Sequence, residues 1–337
     1  MPKLLLSTLI LTLLFAAFTS NFGQVIPAIP PTDIMPLSQV KEGMKGTAKT
    51  VFRGTKSEEF SVEILGVVPG TVGPRQDLII GILSGANAMR TQVFAGMSGS
   101  PVYVNGKLIG AISYSFPYAK EPICGITPIE QMISIFENPA ENRAASTKPF
   151  VLTAASLMAE NWSPELPFGV KPTPVISGMA MNSRLSQVAG QSLMPISTPV
   201  TFTGISQQTL DRFRAAFAGA GIVPVATAGG GSPIVPMSPT TPTTLLGGDS
   251  VVVQLSRGDI SISAAGTVTM RKGDKIYAFG HPYFSLGSTN LPMNESHVIT
   301  VVPSLNNSFK MAVPDALVGS FIGKFVEPRL KYGWPNA

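Results

Sequence analysis

The stretch GMSGSPVYVNGKLIGAIS, residues 96–113, sets Ser98 between Gly96 and Gly99, continues through Ser100-Pro101, and then runs into two strand-like segments joined by Asn105-Gly106. Both central positions of a type I′ turn need positive φ, which Asn-Gly supplies, so the stretch predicts a β-hairpin directly after the serine. Gly96 and Gly99 let the backbone turn sharply and aim successive N–H groups at one spot beside Ser98. This is not the nucleophile elbow of α/β-hydrolases, because Ser100 stands where that motif has its second glycine and a hairpin follows instead of a helix.

Working outward, residues 36–137 read as a β-rich unit. TAKTVFRG, FSVEILGVV, DLIIGIL, PVYVNG and KLIGAISYS are short apolar segments, rich in β-branched residues and broken at glycine or proline. GITPIEQMISIFE then predicts a short helix, with Thr127 as its cap, Pro128 at its first position, Glu130 completing a capping box, and an apolar stripe through Ile129, Met132, Ile133 and Phe136. Residues 138–225 read as an irregular and helical connection, within which STPVTFTGIS predicts a strand and QQTLDRFRAAFAGAG a helix. The Gly/Pro/Thr-rich stretch 226–248 reads as a linker or long loop. Residues 249–322 form a second β-rich unit, in which His281 follows the strand DKIYAF at its end.

The composition narrows the function classes. The chain has 337 residues, 44% of them hydrophobic, which is ample for a sizeable core. Charged residues make up 13% and the net charge of +5 is scattered without a basic block, so no nucleic-acid partner is predicted. Cys124 is the single cysteine and His281 and His297 the only histidines, which leaves no disulfide, no thiolate metal site and no expected metal. Phosphate-binding and dinucleotide-binding motifs are missing, so no cofactor is predicted. Residues 1–24 open with one lysine and an apolar run shorter than the ~20 residues of a membrane-spanning helix, the layout of a signal peptide or, left uncleaved, an N-terminal anchor. Either way the body is expected to be exported, to the periplasm or the cell exterior, with membrane contact only through an uncleaved N-terminus.

A serine attacks a carbonyl only when a base takes its proton and donors stabilise the oxyanion. GMSGSP meets the local half of that demand. Of the two histidines, His281 is the better base, because it lies at the mouth of a strand pair between Gly280 and Pro282, whereas His297 in MNESHVITVV reads as a solvated or core-edge residue.

FAGMSGSPVYVNGKLIGAISY (94–114) and AAGTVTMRKGDKIYAFGHP (264–282) together resemble the SpoIVB-type serine peptidases, a bacterial family named for a sporulation signalling protease. The resemblance is dense over about 37–136 and 245–315. It implies a mostly β, trypsin-like fold of paired β-barrel units with a few short helices, with the barrel halves in rearranged order because the serine motif here precedes the histidine motif. It also implies a peptide or protein substrate, Ser98 as nucleophile, His281 as general base, and an oxyanion hole made by the N–H groups of Gly96 and Ser98.

Two departures accompany it. The family's acid lies shortly before the serine, yet LIIGILSGANAMRTQVFAGM contains no carboxylate. Asp77, Asp259 and Asp274 are the candidates for the third triad member, with the amide of Asn87 as a further choice. The final residues 323–337 show neither strand alternation nor helical period, and are expected to be the atypical tail of a truncated or frame-shifted reading frame. The rival to a peptidase is a catalytically inactive trypsin-like scaffold that binds peptides or envelope partners in the same cleft.

Overall fold

A computed structural model describes residues 33–73, 76–117, 119–137, 173–174, 184–188, 191–227, 235–284 and 289–322. The signal-peptide reading of residues 1–24, the tail 323–337 and most of the stretch from 138 to 183 lie outside the described residues. No helix among the described residues is long and apolar enough to cross a membrane.

The first unit contains strands β1 (Lys45–Thr50), β2 (Glu58–Gly73), β3 (Gln76–Ser84), β4 (Pro101–Val104), β5 (Lys107–Ser115) and β6 (Ile123–Pro128), with helix α1 (Ala86–Thr91) after β3 and α2 (Ile129–Glu137) after β6. β1 to β5 fall where the short apolar segments predicted strands, whereas β6 was not predicted and takes up the start of the stretch read as a helix. The pairing runs β4-β1-β2-β3-β6-β5, and β5 returns to β4, which closes the six strands into a barrel. Asn105 and Gly106 take φ of 52° and 75°, as the hairpin requires. Two further short strands, β7 (Thr173–Pro174) and β8 (Ser192–Pro195), extend the sheet from β5.

The helix α2 begins later than its sequence signal. Thr127 and Pro128 pair with Ala111 and Gly110 as the end of β6, because continuing the barrel ladder satisfies their backbone better than opening a helix. Glu130 accepts a hydrogen bond from the backbone of Leu37 rather than completing a capping box.

The second unit is built from β9 (Thr198–Thr203), β10 (Ile222–Thr227), β11 (Ser250–Ser256), β12 (Ser261–Lys272), β13 (Lys275–Ala278), β14 (Leu291–Val302) and β15 (Phe309–Phe321). Its order is β10-β9-β12-β11-β14-β15, with β13 paired to β12. The predicted strand near 197 and the helix after it are present, the latter as α3 (Gln207–Arg212) and α4 (Arg214–Gly219) on either side of Phe213. They form a crossover between the parallel strands β9 and β10, so the connecting region contributes two strands to the second sheet. Part of the Gly/Pro/Thr-rich stretch packs down as well: Arg271 donates to the carbonyls of Thr241 and Thr244, and Leu245 is buried.

The chain is thus mostly β, in two β units with short helices, as expected. Ile64, Ile79, Ile112 and Ile126 anchor the core of the first unit and Val200, Val251, Val253, Val268 and Phe279 that of the second. Fully burying a side chain of this kind contributes about 1.5–3 kcal/mol. Strand β5 is buried along nearly its whole length, because one face lines the barrel while Leu108 and Ala111 pack with Met270 and Tyr277 of the second unit. That shared face brings the two motif segments together.

Candidate active site

The serine loop leaves α1 and crosses to β4, and β12 holds three of its carbonyls. The N–H of Thr267 donates to the Ser98 carbonyl at 2.9 Å, the hydroxyl of Thr267 to the Gly96 carbonyl at 3.0 Å, and the hydroxyl of Thr269 to the Gly99 carbonyl at 2.7 Å. The approach is so close that a Cβ on Gly99 would collide with the Thr267 carbonyl and the Phe279 nitrogen. Gly96 and Gly99 both adopt positive φ, 91° and 96°. Their permissive backbone and missing side chains are therefore both used.

This stitching fixes where the loop's N–H groups point. The Ala95 carbonyl accepts from the N–H of Lys310, and the Met97 carbonyl accepts from both the N–H and the hydroxyl of Ser100. In a trans peptide the N–H points opposite the C=O, so the N–H groups of Gly96 and Ser98 are turned away from those anchors. The N–H groups of Met97 and Gly99 are used within the fold, on Phe94 and Ile112, whereas those of Gly96 and Ser98 have no acceptor among the described residues.

The histidine segment is clasped from the other side. Phe279 donates its N–H to the Thr267 carbonyl at 3.3 Å, and the hydroxyl of Thr127 on β6 donates to the Gly280 carbonyl at 2.8 Å. Thr127 is itself bonded to Ser113 of β5 at 2.6 Å. The result is that Thr267 touches both Ser98 and Phe279, and the two motifs meet across one strand.

His281 as a whole is half-buried, but its Nε2 is sealed from solvent and has no hydrogen-bond partner among the described residues. Its Nδ1 lies 2.8 Å from the carbonyl oxygen of Pro282. A carbonyl only accepts, so Nδ1 carries the proton and Nε2 presents its lone pair. Burial pushes the imidazole down to about 4, against a smaller opposing effect of the Pro282 carbonyl, which keeps the ring neutral at neutral pH and makes it a weaker base than a free imidazole. The hydroxyl of Ser98 is also buried and without a partner among the described residues, so it is not bonded to His281. Leaving such a buried group unmade costs about 1–3 kcal/mol, so each of the two calls for an explanation.

None of the carboxylates proposed for the third position reaches the ring. Asp77 accepts the N–H of Gly70 at 2.9 Å, while Asp259 and Asp274 are exposed, the first in the loop after β11 and the second in the β12–β13 turn. Asn87 donates its amide to Glu58. The orienting acceptor for Nδ1 is a backbone carbonyl, Pro282.

Three residues escaped sequence reasoning: Thr267, Thr269 and Lys310. The two threonines carried a signal, since alternate positions on a strand share a face. Lys310 carried another, as a lysine inside the apolar run SFKMAV. A cleft of about 320 Å³ opens beside Gln92, Ser115, Met194 and Leu305, but neither Ser98 nor His281 lines it.

Residues 23–133 match the model of the family described as SpoIVB peptidase S55. No curated protein and no solved structure matches the chain. The matched stretch supports the resemblance read from the motifs. It contains Ser98 with its hairpin, whereas His281 lies beyond it.

Proposed function

We propose that this chain is an exported serine peptidase of the SpoIVB type. Ser98 attacks a peptide carbonyl while His281 takes the hydroxyl proton on Nε2. The N–H groups of Gly96 and Ser98 stabilise the oxyanion. Collapse of the tetrahedral intermediate breaks the C–N bond as the imidazolium returns its proton to the leaving amine. Water then hydrolyses the acyl-enzyme with the same histidine as base. The observation that carries this reading is the pair of buried, unpartnered groups, the Ser98 hydroxyl and the His281 Nε2, held in segments that share Thr267. Hydrogen bonds of this kind tighten when substrate fills the site.

In this assignment the Pro282 carbonyl fixes the tautomer, the task a carboxylate performs in the usual triad, and stabilises the imidazolium less than a full charge does. Without a carboxylate charge to stabilise the imidazolium, turnover slower than that of a full triad is expected. The test is covalent labelling by a fluorophosphonate. Wild type is expected to label, and Ser98→Ala and His281→Ala to lose the label. A folded wild type that does not label overturns the peptidase reading.

The missing carboxylate favours one alternative, a scaffold that binds peptides or envelope partners without turnover. Peptide binding retained by both wild type and Ser98→Ala, without labelling of either, would establish it. Export is tested by the N-terminus of the protein recovered from cells: a start near residue 24 supports a cleaved signal, and an intact Met1 in the soluble cytoplasmic fraction overturns export.

A further inference from the structure

Lys310 is fully buried, with 1% of its surface exposed. The described residues that meet it here are uncharged: Thr50 from β1, Thr267 from β12, Gly96 with its neighbour Pro199, and Val301 beside it on β14. No carboxylate pairs with it among the described residues. Burying an ammonium without a counter-charge is expensive, which makes its position worth explaining. Its position is beneath Gly96: the backbone N–H of Lys310 holds the Ala95 carbonyl at 2.9 Å, and a Cβ on Gly96 would stand 2.9 Å from the Cβ of Lys310.

The side chain reaches the other side of the same glycine through one intermediary. Its Nζ lies 3.1 Å from the hydroxyl of Thr267 and 3.5 Å from that of Thr50, and the Thr267 hydroxyl donates to the Gly96 carbonyl. An ammonium has three donors and no acceptor, so both threonine oxygens must accept from it. A hydroxyl has a single proton. The hydroxyls of Thr50 and Thr267 lie 3.2 Å apart, and when Thr50 is the donor of that pair the Thr267 proton goes to the Gly96 carbonyl.

We propose that Lys310 is a positioning residue for the serine loop: in its charged form it commits the Thr267 proton to the Gly96 carbonyl and so fixes the Gly96–Met97 peptide, which adjoins the Ala95–Gly96 peptide whose N–H faces the oxyanion. Neutral Lys310 offers a lone pair, which competes for the Thr267 proton and releases the Gly96 carbonyl. Burial pushes the amine down to about 7, so this exchange falls in the neutral range. The catalytic meaning rests on the peptidase reading above. The coupling between Lys310, Thr267 and Gly96 does not.

The experiment therefore reads the coupling without the reaction. In full-length Ser98→Ala protein, the amide ¹⁵N shift of Met97, which shares a peptide unit with the Gly96 carbonyl, is followed by NMR from about pH 5.5 to 9. A one-proton titration near 7 is expected, absent in Lys310→Met and in Thr267→Val, and restored in Thr267→Ser. A Met97 signal that is flat across the range, or that titrates unchanged in Thr267→Val, overturns the proposal. If Lys310→Met does not fold, the Thr267 pair decides alone. Separately, fluorophosphonate labelling of Lys310→Met at pH 6 is expected to be roughly ten- to a hundredfold slower than that of wild type. Equal labelling rates overturn the positioning role. Failure of wild type to label sinks the peptidase reading and leaves the NMR result to judge the coupling.

Discussion

Thr127 and Gly280 are joined by a hydrogen bond of 2.8 Å from the threonine hydroxyl to the glycine carbonyl, across the boundary between the two β units. Thr127 belongs to the barrel that carries the serine, and Gly280 precedes the histidine. The mirror of this bond is Thr267, a residue of the histidine's sheet that grips the carbonyls of Gly96 and Ser98. Each unit therefore holds the other's reactive segment. Removing the Thr127 hydroxyl with Thr127→Val is expected to cost about 1–2 kcal/mol in urea unfolding and to slow labelling at Ser98. Unchanged values of both would show that the Gly280 carbonyl is held by other means.

The acid limb of activity is expected to be low. His281 is held neutral down to about pH 4 by burial, so labelling is expected to be flat from about pH 5.5 to 7 and to fall only toward 4. The same displacement predicts stability. Between its ordinary 6.5 and about 4 the unfolded chain binds the proton and the folded chain does not, so this contribution is complete at neutral pH and is lost as pH falls toward 4. Comparing the melting temperatures of wild type and His281→Ala across that range checks the sign.

Asp77→Asn, Asp259→Asn and Asp274→Asn are each expected to change labelling by less than about twofold, because none of these side chains reaches the imidazole. A loss approaching the ~10⁴ known for an orienting carboxylate would identify that residue as the missing acid.

Much of the fold was legible because strands announce themselves. DLIIGIL became β3 and the Asn105-Gly106 turn formed as written, since alternation, β-branching and a turn that demands positive φ act locally. Thr127 shows where local signals fail: its capping pattern was sound, but the barrel ladder claimed its backbone. The orienting partner of His281 was invisible for another reason. A backbone carbonyl has no residue type, so nothing in the string of letters marks Pro282 as the acceptor. Lys310 was visible as an oddity in an apolar strand, yet only tertiary packing places it under Gly96.

Gly99→Ala is expected to be among the most damaging single changes. Positive φ costs an alanine about 1–2 kcal/mol, and the collision with Thr267 and Phe279 adds about 1–3 kcal/mol. Denaturant unfolding reads the loss, and a variant as stable as wild type would mean that the loop stands further from β12.

Lys310 predicts the opposite end of the pH scale. Its folded form gives up its proton near 7, well below the ordinary 10.5, so between those values the unfolded chain binds more protons and stability rises with pH. Lys310→Met is expected to remove that rise in thermal melts between about pH 7 and 10.

The support of the serine loop comes from β12 and β15, while the loop itself lies between α1 and β4. During synthesis GMSGSP is therefore made long before the strands that give it shape. A nascent chain, or a proteolytic fragment that stops short of β15, carries the nucleophile with neither the Lys310 contact nor the pinned Ala95 carbonyl. On the proposed peptidase reading, reactivity waits until the last of the described strands has docked, which delays cutting while the chain is still being made.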